Sequence, residues 1–133
     1  MELKVVLTNR FKKSLSLYSK EFPNIIKDLK NEFLNKDFNQ VFENNYFISN
    51  TNTARIIKLR IKNSSAKKGK SGGFRMIYYI NNKTKELVFM EIYSKIGKNK
   101  INNLNSDEYP KMFKEYIHEK DTCEKIVISS III

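Results

Sequence analysis

The stretch ARIIKLRIK, residues 54–62, alternates over its second half: Ile57, Leu59 and Ile61 fall on one face, Lys58, Arg60 and Lys62 on the other. A period of two marks a half-buried strand, and two further runs read the same way, FRMIYYI at 74–80 and LVFMEIY at 87–93. The link NNKTKE, 81–86, is turn-rich and suits a hairpin. Upstream the period is helical. Residues 9–20 carry Phe11, Leu15 and Tyr18 at helical spacing, with Thr8 or Asn9 as the N-cap. Pro23 opens a second helix over 24–35, whose apolar positions are Ile25, Ile26, Leu29, Phe33 and Leu34. ELKVVL, 2–7, reads as a first strand, and the aromatics of 38–49 are expected to close over the helices as an ordered loop. A last helix is predicted over 107–120, with Pro110 in its first turn and Met112, Phe113, Tyr116 and Ile117 as its stripe. The order β-α-α-β-β-β-α predicts an α+β domain over 1–120, its helices packed on one face of a small antiparallel sheet. The apolar tail, 121–133, ends in KIVISSIII; it either adds an edge strand or contacts a partner.

The 133 residues, 41% hydrophobic and 12% aromatic, suffice for one domain with a real core. No apolar run reaches the roughly 18 residues that span a bilayer. The opening MELKVVLTNRFKK, with charges inside and after its short apolar segment, is not expected to be a signal peptide. A single cysteine, Cys123, leaves no internal disulfide and no multi-cysteine zinc site. A cytoplasmic protein without membrane contact is expected.

Charge is concentrated. Residues 1–54 carry a net +2, residues 55–100 carry +11, and residues 101–133 carry −2. A lysine-rich composition alone would spread its charge, whereas a localised positive field is the footprint of a polyanion.

Three of the four glycines, Gly69, Gly72 and Gly73, fall in KKGKSGGFR, 67–75, where the backbone could turn sharply and approach a phosphate. A Gly-Gly pair also often does no more than shape a hairpin. The spacing of a nucleotide-binding P-loop is absent. Arg75 leaves this segment at the start of a strand and offers a planar, always-charged fork. By alternation Leu87, Phe89, Glu91, Tyr93 and Lys95 share one face, as do Arg75, Ile77 and Tyr79. A tyrosine at that end of the sheet could stack on a base, although a core ring is the commoner fate of a strand tyrosine. The one histidine, His118, sits beside Glu115 and Glu119 and reads as a surface residue, so a two-histidine mechanism is excluded. Only Glu86 and Glu91 lie in the basic segment, too few carboxylates for a two-metal nuclease. Phosphodiester chemistry would then fall to Lys and Arg, with the RNA 2′-hydroxyl attacking its own phosphate and a lysine as base if neighbouring cations depress its pKa.

The combination of KLR (58–60), GKSGGFRMIYY (69–79) and a strand closing in IYSK (92–95) resembles the RelE/ParE superfamily of type II toxins, most closely its HigB-like branch. The likeness covers residues 55–100, and the β-α-α start agrees with that fold. It implies a ribosome-dependent endoribonuclease, without cofactor or metal, that cuts mRNA in the A site of the 70S ribosome and inhibits translation. It also implies a cognate antitoxin of the helix-turn-helix, HigA-like kind, through which alone operator DNA would be bound. By the same likeness Arg75 would stabilise the scissile phosphate. Lys58 and Arg60 would contact phosphate and could supply the general base. Tyr93 and Lys95 would stack on a base and bind backbone, and Lys62, Lys68, Lys70 and Lys98 would be further RNA contacts. Ile96 stands where some relatives place an arginine, so Lys95 or Lys98 is the substitute general acid. Two other readings use the same surface: a ParE-like inhibitor of DNA gyrase, and a non-catalytic RNA- or ribosome-binding module.

Overall fold

The computed structural model describes residues 2–44 and 46–132. Its elements run β1 (Lys4–Leu7), α1 (Asn9–Ser19), α2 (Ile25–Phe33), α3 (Phe38–Phe42), β2 (Phe47–Asn50), β3 (Ala54–Ile61), β4 (Phe74–Asn81), β5 (Glu86–Ser94), α4 (Glu108–Glu119) and β6 (Glu124–Val127). The six strands form one sheet in the order β2-β3-β4-β5-β1-β6. β1 lies parallel to β5, and every other pairing is antiparallel. The α+β class holds. Among the described residues no helix is long and apolar enough to cross a membrane.

The helices do not share one face, contrary to expectation. Phe11 and Leu15 of α1, Ile25 and Leu29 of α2 and Val41 of α3 pack against Ile57, Met76, Tyr78 and Phe89. Met112 and Tyr116 of α4 join Ile77, Val88 and Met90 in a second cluster. Val88 and Phe89 are neighbours on one strand and so point to opposite faces. The sheet is therefore covered on both sides.

Local chemistry sets the boundaries. Thr8 caps α1, its Oγ1 accepting from the Phe11 N–H at 3.2 Å while donating to the Phe89 carbonyl at 3.0 Å. The second helix ends at Phe33, two residues short of expectation, just before Asn35 turns to φ +60°. Residues 38–49 are not a loop throughout. A capping box between Asp37 and Gln40 starts the short α3, and Phe47–Asn50 pairs with β3 as an edge strand. The 81–86 link forms the expected hairpin, with Asn81 opposite Glu86.

Of the two roles open to the tail, the edge strand is the one that forms. Val5 pairs with Ile126 and Lys4 with Val127, after which Ile128 and Ile131 turn into the main core. Fully burying Ile131 is worth about 1.5–3 kcal/mol relative to exposure.

The connection between β3 and β4 is tightly held. Asp28 of α2, 1% exposed, accepts from the Ser64 N–H at 2.8 Å and its hydroxyl at 3.0 Å. Asn63 and Lys68 exchange backbone hydrogen bonds. Gly73 is enclosed: a Cβ there would stand 2.0 Å from the Ile61 carbonyl oxygen, whereas one on Gly69 meets nothing within 4 Å. Gly73→Ala is expected to cost about 2–3 kcal/mol through forced backbone displacement, and Gly69→Ala less than about 0.5 kcal/mol. Urea unfolding of both variants checks this; equal midpoints would refute the close approach.

Candidate nucleic-acid interface

On β3 the aliphatic face lies against α1 and α2, which leaves Lys58 and Arg60 on the opposite face. Register then places them. Arg60 stands directly across from Arg75, which stands across from Tyr93; Lys58 pairs with Ile77, and Ile77 with Glu91. Lys58, Arg60, Arg75 and Lys95 line one open cleft of about 350 Å³, with Tyr46, Phe47, Ile48 and Asn103. Four of the five residues expected to be catalytic are thus brought together.

Their states differ. Arg75 is 6% exposed, and its guanidinium is largely committed: Nη1 donates to the carbonyls of Lys70 (2.8 Å) and Phe74 (3.1 Å), Nη2 to that of Ser71 (2.9 Å). Lys95 donates through Nζ to the Asn102 carbonyl, and its backbone N–H bonds Gly73 at 3.0 Å. Lys58, half-buried, makes no side-chain hydrogen bond among the described residues. Burial, and then the charges of Lys95, Arg75 and Arg60, lower its pKa from the ordinary 10.5.

Tyr93 does not take the expected place. It is 0% exposed, packed into the main core cluster, and so has no ring face open to a base. Its hydroxyl is buried without a hydrogen-bond partner among the described residues, and burial pushes its pKa up to about 12. The glycine-rich segment also departs from expectation. The space a phosphate would need beside Gly73 is filled by Ile61, Gly69 and Asn63 backbone atoms, and the carbonyls of 70–71 turn onto Arg75.

Lys62, Lys68, Lys70 and Lys98 are exposed but do not line the cleft. Lys70 pairs with Glu32 of α2 at 3.3 Å, and the Lys98 N–H bonds the Glu21 carboxylate at 3.1 Å. Conversely, Tyr46 and Asn103 belong to the cleft and were not singled out from the sequence. Tyr46 is 60% exposed, with the Arg60 guanidinium 5.7 Å from its ring centroid.

The two acids of the basic segment are both held elsewhere. Glu86 accepts from the Tyr116 hydroxyl and pairs with Lys120 at 3.4 Å. Glu91 is paired with Arg10 of α1 at 3.4 Å. Arg10 also binds Glu115 at 2.7 Å and Glu108 at 3.3 Å, which ties α4 to α1 and raises its own pKa, chiefly through the Glu115 hydrogen bond. Burial raises the pKa of Glu91 in spite of that pairing. No carboxylate lines the cleft among the described residues.

No protein-family model, curated protein or solved structure matches the chain.

Lys58 yields a pH test. With its folded pKa below the unfolded value, the unfolded chain binds more protons between the two, so stability rises with pH across that interval. Below the interval the cost of the charged ammonium is present in full. Lys58→Met is expected to raise the melting temperature at pH 7, and the gain should shrink as pH climbs toward 10.5. A lowered melting temperature at pH 7 would contradict the account.

Proposed function

We propose that this chain is a metal-independent endoribonuclease that cuts mRNA on the ribosome, in the manner of the RelE/HigB-type toxins it resembles. The observation that carries this reading is the convergence of Lys58, Arg60, Arg75 and Lys95 on one cleft that, among the described residues, no carboxylate lines. Such a cleft concentrates positive potential where a phosphodiester dianion would develop, the largest single contribution to catalysis of this type.

Each cation has a distinct part in the reading. Lys58, its pKa lowered, is the group that can be uncharged in a fraction of molecules and take the proton from the 2′-hydroxyl. The 2′-oxygen then bonds to phosphorus as the bond to the 5′-oxygen breaks. The products are a 2′,3′-cyclic phosphate and a 5′-hydroxyl end. Arg60 and the donors Arg75 has left bind the non-bridging oxygens. Of the two candidates for the acid, Lys95 lines the cleft and Lys98 does not, so Lys95 protonates the leaving oxygen. By the same resemblance the partners are the 70S ribosome and a helix-turn-helix antitoxin.

One observation favours a second reading, a non-catalytic RNA- or ribosome-binding module. Three of the Arg75 donors are spent on carbonyls, which reduces what remains for a transition state.

Mapping mRNA 5′ ends in cells expressing the chain separates the two. Wild type is expected to give translation-dependent cuts. Lys58→Met should lower cutting by roughly 100-fold or more, the scale of a lost general base. Arg60→Ala should lose roughly tenfold or more through one missing phosphate contact. Intact mRNA with translation still arrested would sink cleavage in favour of the binding module.

A further inference from the structure

Only two phenylalanine or tyrosine rings are exposed among the described residues, Tyr46 at 60% and Phe47 at 45%, and both line the cationic cleft. The two differ in how they are held. Phe47 stands 5.5 Å from the Arg55 guanidinium, which packs at 4.2 Å on Phe42, so it belongs to a small stack at the sheet edge. Tyr46 has Arg60 at 5.7 Å as its ring partner, and most of its surface lies open to solvent.

We propose that Tyr46, with Arg60 beside its ring, is the nucleobase platform of the cleft: one base of a single-stranded RNA stacks on the open side of the tyrosine while the adjoining phosphate lies over Lys58 and Lys95. This rests on the RNA reading above and adds the wall on which the base is held. It is the wall formed by the start of β2, not the β5 wall where Tyr93 is buried.

The backbone gives the arrangement its precision. The Lys58 N–H donates to the Tyr46 carbonyl at 2.9 Å, so stacking ring and lysine arise from the two residues of one backbone hydrogen bond. Their spacing is set by the sheet rather than by two independent flexible chains. A register shift between Phe47 and Ser49 interrupts the pairing of β2 with β3 just after Tyr46, and irregularities at sheet edges commonly re-aim side chains. The chemistry is complementary as well. Lysines and arginines attract any polyanion, whereas an exposed ring with a cation beside it prefers a polyanion that carries flat bases.

The chain has no tryptophan, so Y46W introduces a single indole at an exposed position. The probe is a 2′-O-methyl RNA oligonucleotide of about six nucleotides, which binds but cannot be cut, compared with inorganic polyphosphate at equal ionic strength. The indole fluorescence should be quenched by the oligonucleotide and not by polyphosphate. Tyr46→Ala should weaken oligonucleotide binding roughly tenfold or more and leave polyphosphate binding unchanged. An unquenched indole, an equal loss for both ligands, or no oligonucleotide binding by wild type where polyphosphate binds would each overturn the platform. Because the probe has no free 2′-hydroxyl, these outcomes are independent of cleavage. Quenching together with intact cellular mRNA would uphold the platform and sink the ribonuclease reading alone.

Discussion

β5 carries one residue more than the length of β4 it faces: Ile77 pairs with Glu91 and Tyr78 with Phe89, so Met90 is extra. This bulge decides which side chains stand on each face of the sheet. Leu87 and Phe89 enter the core under α1 and α2, and the next alternate residue would follow them there without the bulge. Instead Met90 stays with Val88 on the α4 face, and Glu91 comes to that face too, opposite Ile77, at the level where Arg10 can reach it. The insertion coincides with the end of β1, whose last registered pair is Leu7 with Phe89. Beyond it Thr8 bonds the Phe89 carbonyl and α1 begins. The bulge, the helix start and the Arg10 cluster thus share one place, and the cationic row of Arg60 and Arg75 lies beyond it.

Holding that row together has a cost that the structure spreads unevenly. Like charges directly opposite on neighbouring strands are destabilising, and Arg60 and Arg75 are such a pair. The carbonyls of Lys70, Ser71 and Phe74 place the negative ends of three dipoles on Arg75, and Lys95 has the Asn102 carbonyl. Among the described residues Lys58 has no comparable acceptor. It bears the burial and the repulsion of three neighbours, and both lower its pKa. The same distribution commits most of the Arg75 donors to the protein's own carbonyls and leaves the Lys58 ammonium to its neighbours' charge.

Much of this was legible in the sequence where a period is long and regular. The strands at 54–62, 74–80 and 87–93, the two first helices and α4 all follow from spacing. What period cannot supply is the side of the sheet a helix covers. The stripe of Met112 and Tyr116 says only that a face is buried, and α4 buries it opposite α1. Alternation failed beyond Met90, where Glu91 and Tyr93 part from the face of Leu87 and Phe89, because a bulge leaves no composition signal in LVFMEIY. Tyr93 does stand across from Arg75, but it was misjudged because burial depends on partners far along the chain. Tyr46 was missed because FENNYF shows neither period, and its exposure is settled by the pairing of β2 with β3. Arg10, eighty-one residues from Glu91 and 105 from Glu115, could not be paired from spacing at all.

The glycine-rich segment is where physical reading and structure diverge most usefully. Glycine permits a close backbone approach, and a phosphate is one thing that can make it. Here the approach is internal, since Gly73 lies against the Ile61 carbonyl and the segment's own carbonyls face inward to Arg75. A loop that aims carbonyls at a cation is doing the reverse of an anion nest, which aims N–H groups at its ligand. The segment therefore serves the cleft as a clamp. It fixes Arg75 at the floor, Asp28 anchors its far side through Ser64, and the Lys95 N–H closes it from β5. The cations that line the cleft accordingly stand on the sheet rather than in the loop: Lys58 and Arg60 on β3, Arg75 on β4, and Lys95 just beyond β5.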